Sequence, residues 1–160
     1  MKKKIHLIAV SLILVSLNSY SQWISPGNSN SFTLDDLVAE SGGTVTQDGE
    51  DYYFNETVTI SASDTLHINN DGLLYIHAGI LWTIEGVLIT NPPNQFEIKK
   101  PLGDANFEGI RFDNSPSSSM SRLILSGCGG IKLVDSPMEI RECSFSNFGQ
   151  EYSTATISLF

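Results

Sequence analysis

Positively charged residues are scarce in this chain. Nine Lys and Arg residues stand against 18 Asp and Glu, which gives a formal net charge of −9 at pH 7. Three of the nine are Lys2, Lys3 and Lys4, so the rest of the chain carries a net charge of about −12. Nucleic-acid binding depends on Lys and Arg that neutralise phosphates, so a surface of this sign predicts no nucleic-acid partner.

Cysteine and histidine are also few. The two cysteines, Cys128 and Cys143, have no accompanying pair of histidines, so they do not make a structural zinc site of the usual four ligands. We therefore predict no metal and no other cofactor. In an oxidising compartment Cys128 and Cys143 could form a disulfide, and the alternative is that both stay free and buried as small apolar residues. Their spacing leaves both alternatives open.

Long apolar runs are absent except at the N-terminus. The run Ile5–Leu17 follows three lysines and precedes small residues at Ser19 and Ser21, which is the three-part pattern of a secretory signal peptide. The run is shorter than the roughly 20 residues that span a bilayer, and no second apolar segment follows it. We predict a signal peptide at residues 1–21, no transmembrane segment, and a mature chain that is secreted or displayed at the cell surface.

Helical periodicity is confined to one short segment. Thr33 is suited to cap a helix, apolar residues recur at helical spacing through Val38, and Gly42 can end the helix. The pattern predicts a helix over residues 33–41. We assign it to a lead-in loop and N-terminal cap that covers residues 22–54.

Strand patterns take over beyond residue 54. Apolar positions recur at intervals of eight, at Ile60, Ile68, Ile76 and Ile84, with turn residues between them. This interval fits a meander of antiparallel hairpins, as in a small β-sandwich, and it equally fits the successive faces of a three-sided coil of about 24 residues. Taken alone, the interval leaves the choice open.

A near-repeat in the second half favours the coil. The segment Gly109–Pro116 returns 21 residues later as Gly130–Pro137. A period near twenty is too short for an independent core and suits one turn of a stacked solenoid, which explains both intervals with a single assumption. Alternation along each strand then stacks apolar side chains inside the solenoid. The predicted inward pairs are Ile110 over Ile131 and Phe112 over Leu133.

The same register makes two cations neighbours on the outside. Arg111 and Lys132 would lie about one strand spacing apart, roughly 4.8 Å. Like charges at that distance repel, so they need either a nearby carboxylate such as Asp113 or an anionic ligand. In the simpler interpretation, nearby carboxylates neutralise the two cations. In the other, an anionic ligand binds them, and Arg111, Lys132 and Asp113 are then the ligand-facing candidates. Trp82 and Tyr75 could form a sugar-stacking surface, although Trp82 could equally cover the core.

These residues carry a resemblance. The pattern Gly-Ile-x-Phe/Leu-x-x-Ser at 109 and 130, followed by Ile140-x-x-Cys143-x-Phe145-x-Asn147, resembles the coil pattern of right-handed parallel β-helix proteins. This is the pectate-lyase-like architecture of exported bacterial proteins, and the likeness is closer over 105–160 than over 55–104. It implies an all-β, right-handed parallel β-helix over residues 55–160 with a short capping helix before it. It carries over no catalytic residues, because the architecture hosts lyases, hydrolases, adhesins and passive stalks.

The last residues read as the opening strand of another coil. Ala155–Phe160 has strand character without a polar cap, so we expect a truncated solenoid that continues or pairs with further β-helix. We predict a non-catalytic segment with a structural or surface-interaction role and a polysaccharide or cell-surface partner. The alternative is the N-terminal part of a polysaccharide lyase or glycoside hydrolase.

Overall fold

The protein is described by a computed structural model that covers residues 22–147 and 157–159. The predicted signal peptide at residues 1–21 lies outside the described residues, so it stays a prediction. The described chain is almost entirely β-structure, with one short helix, α1 (Leu34–Glu40). In chain order the strands are β1 (Gln22–Ile24), β2 (Ser31–Phe32), β3 (Val45–Asp48), β4 (Asp51–Phe54), β5 (Thr57–Ile60), β6 (Thr65–Ile68), β7 (Gly72–Ile76), β8 (Leu81–Ile84), β9 (Val87–Thr90), β10 (Phe96–Lys99), β11 (Gly109–Asp113), β12 (Ser118–Ser121), β13 (Leu123–Ser126), β14 (Ile131–Val134), β15 (Met138–Arg141), β16 (Ser144–Ser146) and β17 (Ile157–Leu159).

The strands form three sheets that run along a parallel β-solenoid of about four turns. Sheet A has the order β1-β5-β8-β11-β14-β17, sheet B has β15-β12-β9-β6-β2, and sheet C has β16-β13-β10-β7-β4-β3. Every complete turn gives one strand to each sheet, as β5, β6 and β7 do. Neighbouring strands are parallel except for β3 and β4, which form an antiparallel pair at one edge of sheet C. The predicted solenoid is confirmed and the antiparallel meander is wrong, while the right-handed winding stays a prediction.

The interval of eight reflects the three faces of one turn. Ile60 lies on sheet A, Ile68 on sheet B and Ile76 on sheet C, and Ile84 returns to sheet A as the register partner of Ile60. All four side chains are fully buried. One side chain from each face meets the others inside the turn, so hydrophobic burial selects this spacing.

The core is a column that follows the solenoid axis. Ile110 pairs with Ile131 in register on sheet A, and Trp82 lies on the other side of Ile110. The indole ring of Trp82 is fully buried and packs edge-to-face on Phe54, with 5.2 Å between ring centroids. Phe112 over Leu133 is the second predicted pair, and the register confirms it. Trp82 is therefore a core residue, and it takes no part in a sugar-stacking surface.

The helix lies where it was predicted, one residue shorter at each end. Thr33 caps it: the Asp36 amide donates to the Thr33 hydroxyl, and the Asp36 carboxylate accepts from the Thr33 amide at 2.7 Å. The Thr33 amide and the Thr33 hydroxyl both donate to the Asp36 carboxylate, and these two hydrogen bonds lower the pKa of Asp36. Leu34 and Leu37 are buried against β2, β3 and β6. The helix thus places an apolar stripe on the first turns of the solenoid.

One buried carboxylate fastens the lead-in segment to the next turn. The backbone amide of Gly27 donates to Asp64 Oδ2 at 2.8 Å, and the amides of Asn28 and Asn30 donate to Oδ1 at 3.1 and 3.0 Å. The Asp64 side chain has no exposed surface. Its burial favours the neutral acid, but the hydrogen bonds from Ser25 and the three amides outweigh burial and lower the pKa of the carboxyl group.

Candidate functional site

The cation pair predicted from the repeat lies on the outer surface of sheet A. Arg111 and Lys132 are register partners on β11 and β14. The Arg111 guanidinium is bound by its own strand, with 2.5 Å between its Nη2 and Asp113 Oδ2. Lys132 is exposed. The structure therefore favours the interpretation in which a carboxylate, here that of Asp113, neutralises Arg111. A ligand-facing role for Arg111, Lys132 and Asp113 stays a prediction.

Both cysteines are free thiols. Cys128 is buried between β13 and β14, where it forms an isolated bridge with Phe107. Cys143 lies at another corner, between β15 and β16, and its thiol donates to the Met120 carbonyl at 3.4 Å. Burial raises the pKa of Cys128 to about 12 and also raises that of Cys143. Among the described residues, no group of three or more His, Cys, Asp or Glu side chains could hold a metal ion.

Tyr75 belongs to a different surface from Trp82. It points outward from sheet C, where it is the register partner of Tyr53 on β4. The two rings are stacked, with 5.0 Å between centroids and 20° between planes. On the next strand Lys99 is the register partner of Tyr75, and its Nζ lies 5.5 Å from the ring centroid of Tyr75. Tyr75 is thus enclosed between Tyr53 and Lys99, so it presents its edge and hydroxyl to a ligand rather than a ring face.

Lys99 is itself held in place by a carboxylate. Its ammonium nitrogen lies 2.9 Å from Glu97 Oε2, two residues earlier on β10. The hydrogen bond from Lys99 to Glu97 raises the pKa of Lys99, so the ammonium keeps its charge at neutral pH. The column Tyr53–Tyr75–Lys99 is therefore a fixed feature of three successive turns.

A groove of about 570 Å³ opens beside this column. Tyr75, Lys99 and Ser126 come from three successive strands of sheet C, and Asn147 directly follows β16, the next strand of that sheet. The opposite wall is the segment 100–103, part of the long connection between β10 and β11. Ligand sites in proteins are commonly clefts of about 300–1,000 Å³, so the groove has the size of a binding site.

The wall of the groove is anchored to the turn below it. Asp104 Oδ2 lies 2.8 Å from Nδ1 of His77, which directly follows β7. The Asp104 amide donates to the Pro101 carbonyl at 3.2 Å, and the Lys100 ammonium donates to the Asp104 carbonyl oxygen. The loop thus has hydrogen bonds both within itself and to the body of the solenoid. These contacts hold Lys100 at the rim of the groove.

The chemistry of the groove is that of a hydrogen-bonding surface. None of the described residues that line it is Asp or Glu, and its polar groups are ammonium, amide and hydroxyl groups. Glycoside hydrolysis uses a pair of carboxyl groups on either side of the scissile bond, and the described residues of the lining supply no such pair. The polar side chains are those of Tyr75, Lys99, Lys100, Asn106, Ser126 and Asn147.

Sequence reasoning named Tyr75 but missed the rest of the groove. The ligand-facing candidates Arg111, Lys132 and Asp113 do not line it. A signal was present in the sequence: Lys99-Lys100-Pro101 places two adjacent cations and a turn residue in a chain that has few cations. That signal does not indicate which other residues line the groove, because Ser126 and Asn147, which complete it, come from later turns.

Comparison with known proteins gives no relative for this chain. No protein-family model matches it, and no significant match is found among the curated proteins or among the solved structures. Within the part of the chain that the structure describes, no helix is long and apolar enough to cross a membrane.

Proposed function

We propose that this chain is a segment of an exported parallel β-helix protein that binds polysaccharide in the sheet C groove without cleaving it. The observation that carries this proposal is the lining of the groove, which is rich in hydrogen-bond donors and contains no carboxylate among the described residues. Sugar hydroxyls and uronate carboxylates are the acceptors that such donors suit. No paired acid and base stands among the lining residues that the structure describes, which favours binding over hydrolysis.

The repeating architecture supports an extended ligand. Tyr75, Lys99 and Ser126 lie on adjacent parallel strands, so their side chains recur about every 4.8 Å along the solenoid. A polymer of repeating units can contact such a row at several points in succession. Export and a right-handed, pectate-lyase-like winding belong to the same proposal, and they rest on the N-terminal pattern and on the coil motif at 109 and 130.

Lys100 is the residue on which charge selectivity depends. Its ammonium binds a carbonyl oxygen, which is a neutral acceptor, whereas Lys99 is paired with the Glu97 carboxylate. Lys100 therefore keeps more of its charge available to a ligand. We expect acidic polysaccharides to bind more tightly than neutral ones, and the preference to weaken with salt because the groove is open to solvent.

The test is a binding titration with a panel of acidic and neutral polysaccharides. Lys100→Gln removes the charge and keeps a donor for the Asp104 carbonyl. A charge-assisted hydrogen bond contributes about 1.5–3 kcal/mol, so acidic ligands should bind at least about tenfold more weakly to this variant. Arg141→Gln is the matched control, since Arg141 is an exposed cation on sheet B that lies outside the groove. We expect its affinity to stay within about twofold of the parent.

The same samples test the enzymatic alternative, the N-terminal part of a polysaccharide lyase or glycoside hydrolase. Incubation with the panel should produce no new reducing or unsaturated ends. Turnover that Arg111→Ala or Lys132→Ala abolishes would overturn the non-catalytic proposal. Equal loss of binding in Lys100→Gln and Arg141→Gln would show that net charge, not the groove, drives association.

A further inference from the structure

The stacked tyrosines on sheet C have a chemical property that goes beyond ligand binding. Tyr53 and Tyr75 are register partners on adjacent parallel strands, and their rings lie 5.0 Å apart and nearly parallel. Both side chains are partly exposed, so a small diffusible oxidant can reach them. Two phenols fixed at this distance are arranged for coupling to each other rather than to a second molecule.

The backbone keeps the two rings within reach of a covalent bond. Neighbouring strands lie about 4.8 Å apart, and both side chains leave the sheet in the same direction. A bond between the ring carbons next to the two hydroxyl groups requires each ring to lean toward its partner by less than half of this spacing. Rotation about the side-chain torsions provides such a movement without a change in strand pairing.

We propose that Tyr53 and Tyr75 form an oxidative cross-linking site, at which a haem peroxidase with hydrogen peroxide joins the two rings as dityrosine. Each phenol loses one electron and its hydroxyl proton to give a tyrosyl radical. The two radicals combine through a new carbon–carbon bond, and the hydrogen on each bonded carbon moves to the phenolic oxygen, which restores both aromatic rings. The peroxide takes up the two electrons and two protons and becomes two molecules of water.

The neighbouring tyrosine is excluded by its surroundings. Tyr52 points inward, its register partner on β7 is Leu74, and its hydroxyl donates to Asp35 at 2.6 Å. Burial, together with this hydrogen bond, raises the pKa of Tyr52 to about 12. Tyr52 therefore has no stacked phenol as a partner and provides an internal control.

The cross-link would have a defined structural effect. It would join β4 to β7 and so fasten the antiparallel β3–β4 pair to the following turn. The first turn of the solenoid could then no longer separate from the second without breaking a covalent bond. This effect does not depend on polysaccharide binding, so the two proposals succeed or fail independently.

The experiment treats the purified chain with peroxidase and a limiting amount of hydrogen peroxide. We expect monomeric protein to lose the mass of two hydrogen atoms and to gain dityrosine fluorescence, with a yield that does not change on dilution. Peptide mapping should recover residues 53 and 75 in one cross-linked species. Tyr53→Phe and Tyr75→Phe should each reduce the monomer fluorescence to background, and Tyr52→Phe should leave it unchanged.

Several results would overturn the proposal. One is dityrosine found only in covalent dimers with a yield that rises with protein concentration. Another is equal monomer fluorescence in Tyr53→Phe and the parent chain. The absence of dityrosine from a folded parent that the peroxidase has demonstrably oxidised would also refute it.

Discussion

Removing the charge of Asp64 should loosen the N-terminal lead-in while the later turns stay intact. Asp64→Asn keeps the size of the side chain and replaces one carboxylate oxygen with an NH2 group. An amide that keeps its oxygen at the Oδ1 position still accepts from Asn28 and Asn30, but its NH2 group then faces the Gly27 amide, which lies 2.8 Å from Oδ2 in the parent. Two donors that face each other cannot form a hydrogen bond.

The expected magnitude follows from these contacts. One charge-assisted hydrogen bond is lost outright, and two others lose the contribution of the negative charge. Gly27, Asn28 and Asn30 are exposed, so water replaces part of what is lost. We expect the opening free energy of the lead-in to fall by about 2 kcal/mol at pH 7, which corresponds to roughly 30-fold faster amide exchange in that segment.

Hydrogen exchange of two backbone amides provides the assay. The Ser25 amide donates to the Thr59 carbonyl, and the Thr65 amide donates to the Asn30 carbonyl, so both report whether the lead-in is attached to β5 and β6. Turns of a solenoid contact only their neighbours, so β13 and β14 should exchange at the parental rate. Uniform acceleration across all three sheets would refute the local role of Asp64.

Acid provides an independent check on the same residue. The pKa of Asp64 in the folded chain lies below its ordinary value of 3.8, so the carboxylate stabilises the fold above that value. This stabilisation is lost as the pH falls through the folded-state pKa. The difference in the opening free energy of the lead-in between the parent and Asp64→Asn should therefore become smaller below about pH 4. Asp71→Asn is the control, because Asp71 accepts a similar set of hydrogen bonds on the exposed surface. This substitution should therefore reduce stability by less than Asp64→Asn does. A difference that is independent of pH would contradict the electrostatic explanation.

Two further predictions concern backbone space and thiol reactivity. Gly109→Ala should cost about 3 kcal/mol or more in urea denaturation, because φ is +129° and a Cβ would lie 2.4 Å from the Gly130 carbonyl oxygen. Gly79→Ala, at φ +73° with open space around it, should cost only about 1–2 kcal/mol, and equal losses would contradict the steric argument. Alkylation at pH 8 should be slow for both thiols in the folded chain and slower for Cys128 than for Cys143, since burial raises the pKa of Cys128 to about 12. Rapid native-state labelling of Cys128 would show that the turn around it opens readily.

The stacked turns could be predicted because they impose one environment repeatedly. Ile60 and Ile84 face the same column of core residues one turn apart, so burial selects the same residue type at both positions. Ile110 over Ile131 follows for the same reason. The helix could be predicted because capping by Thr33 is a local interaction between residues close in sequence.

The turn lengths could not be predicted, because loops between strands are free to vary. Val58 and Trp82 are register partners 24 residues apart, whereas Trp82 and Ile110 are partners 28 residues apart. The extra residues lie in the connection from Lys100 to Glu108. Such an insertion leaves the core unchanged, so the hydrophobic pattern contains no information about where the loop folds.

The same insertion explains why the groove could not be predicted from the sequence, whereas the stacking of Arg111 on Lys132 could. On each sheet, an outward cation is paired with a carboxylate two residues away on its own strand, as in Glu97–Lys99, Arg111–Asp113 and Glu139–Arg141. Each of these three cations is therefore neutralised by its own strand, and the stacking of Arg111 on another cation does not by itself create a ligand site. Lys100 lies just beyond the end of β10, where no such strand neighbour exists, and its ammonium binds a neutral carbonyl oxygen instead. In a solenoid of this kind, charge that is available to a ligand is expected where the chain leaves the repeat, and the loop after β10 is such a place.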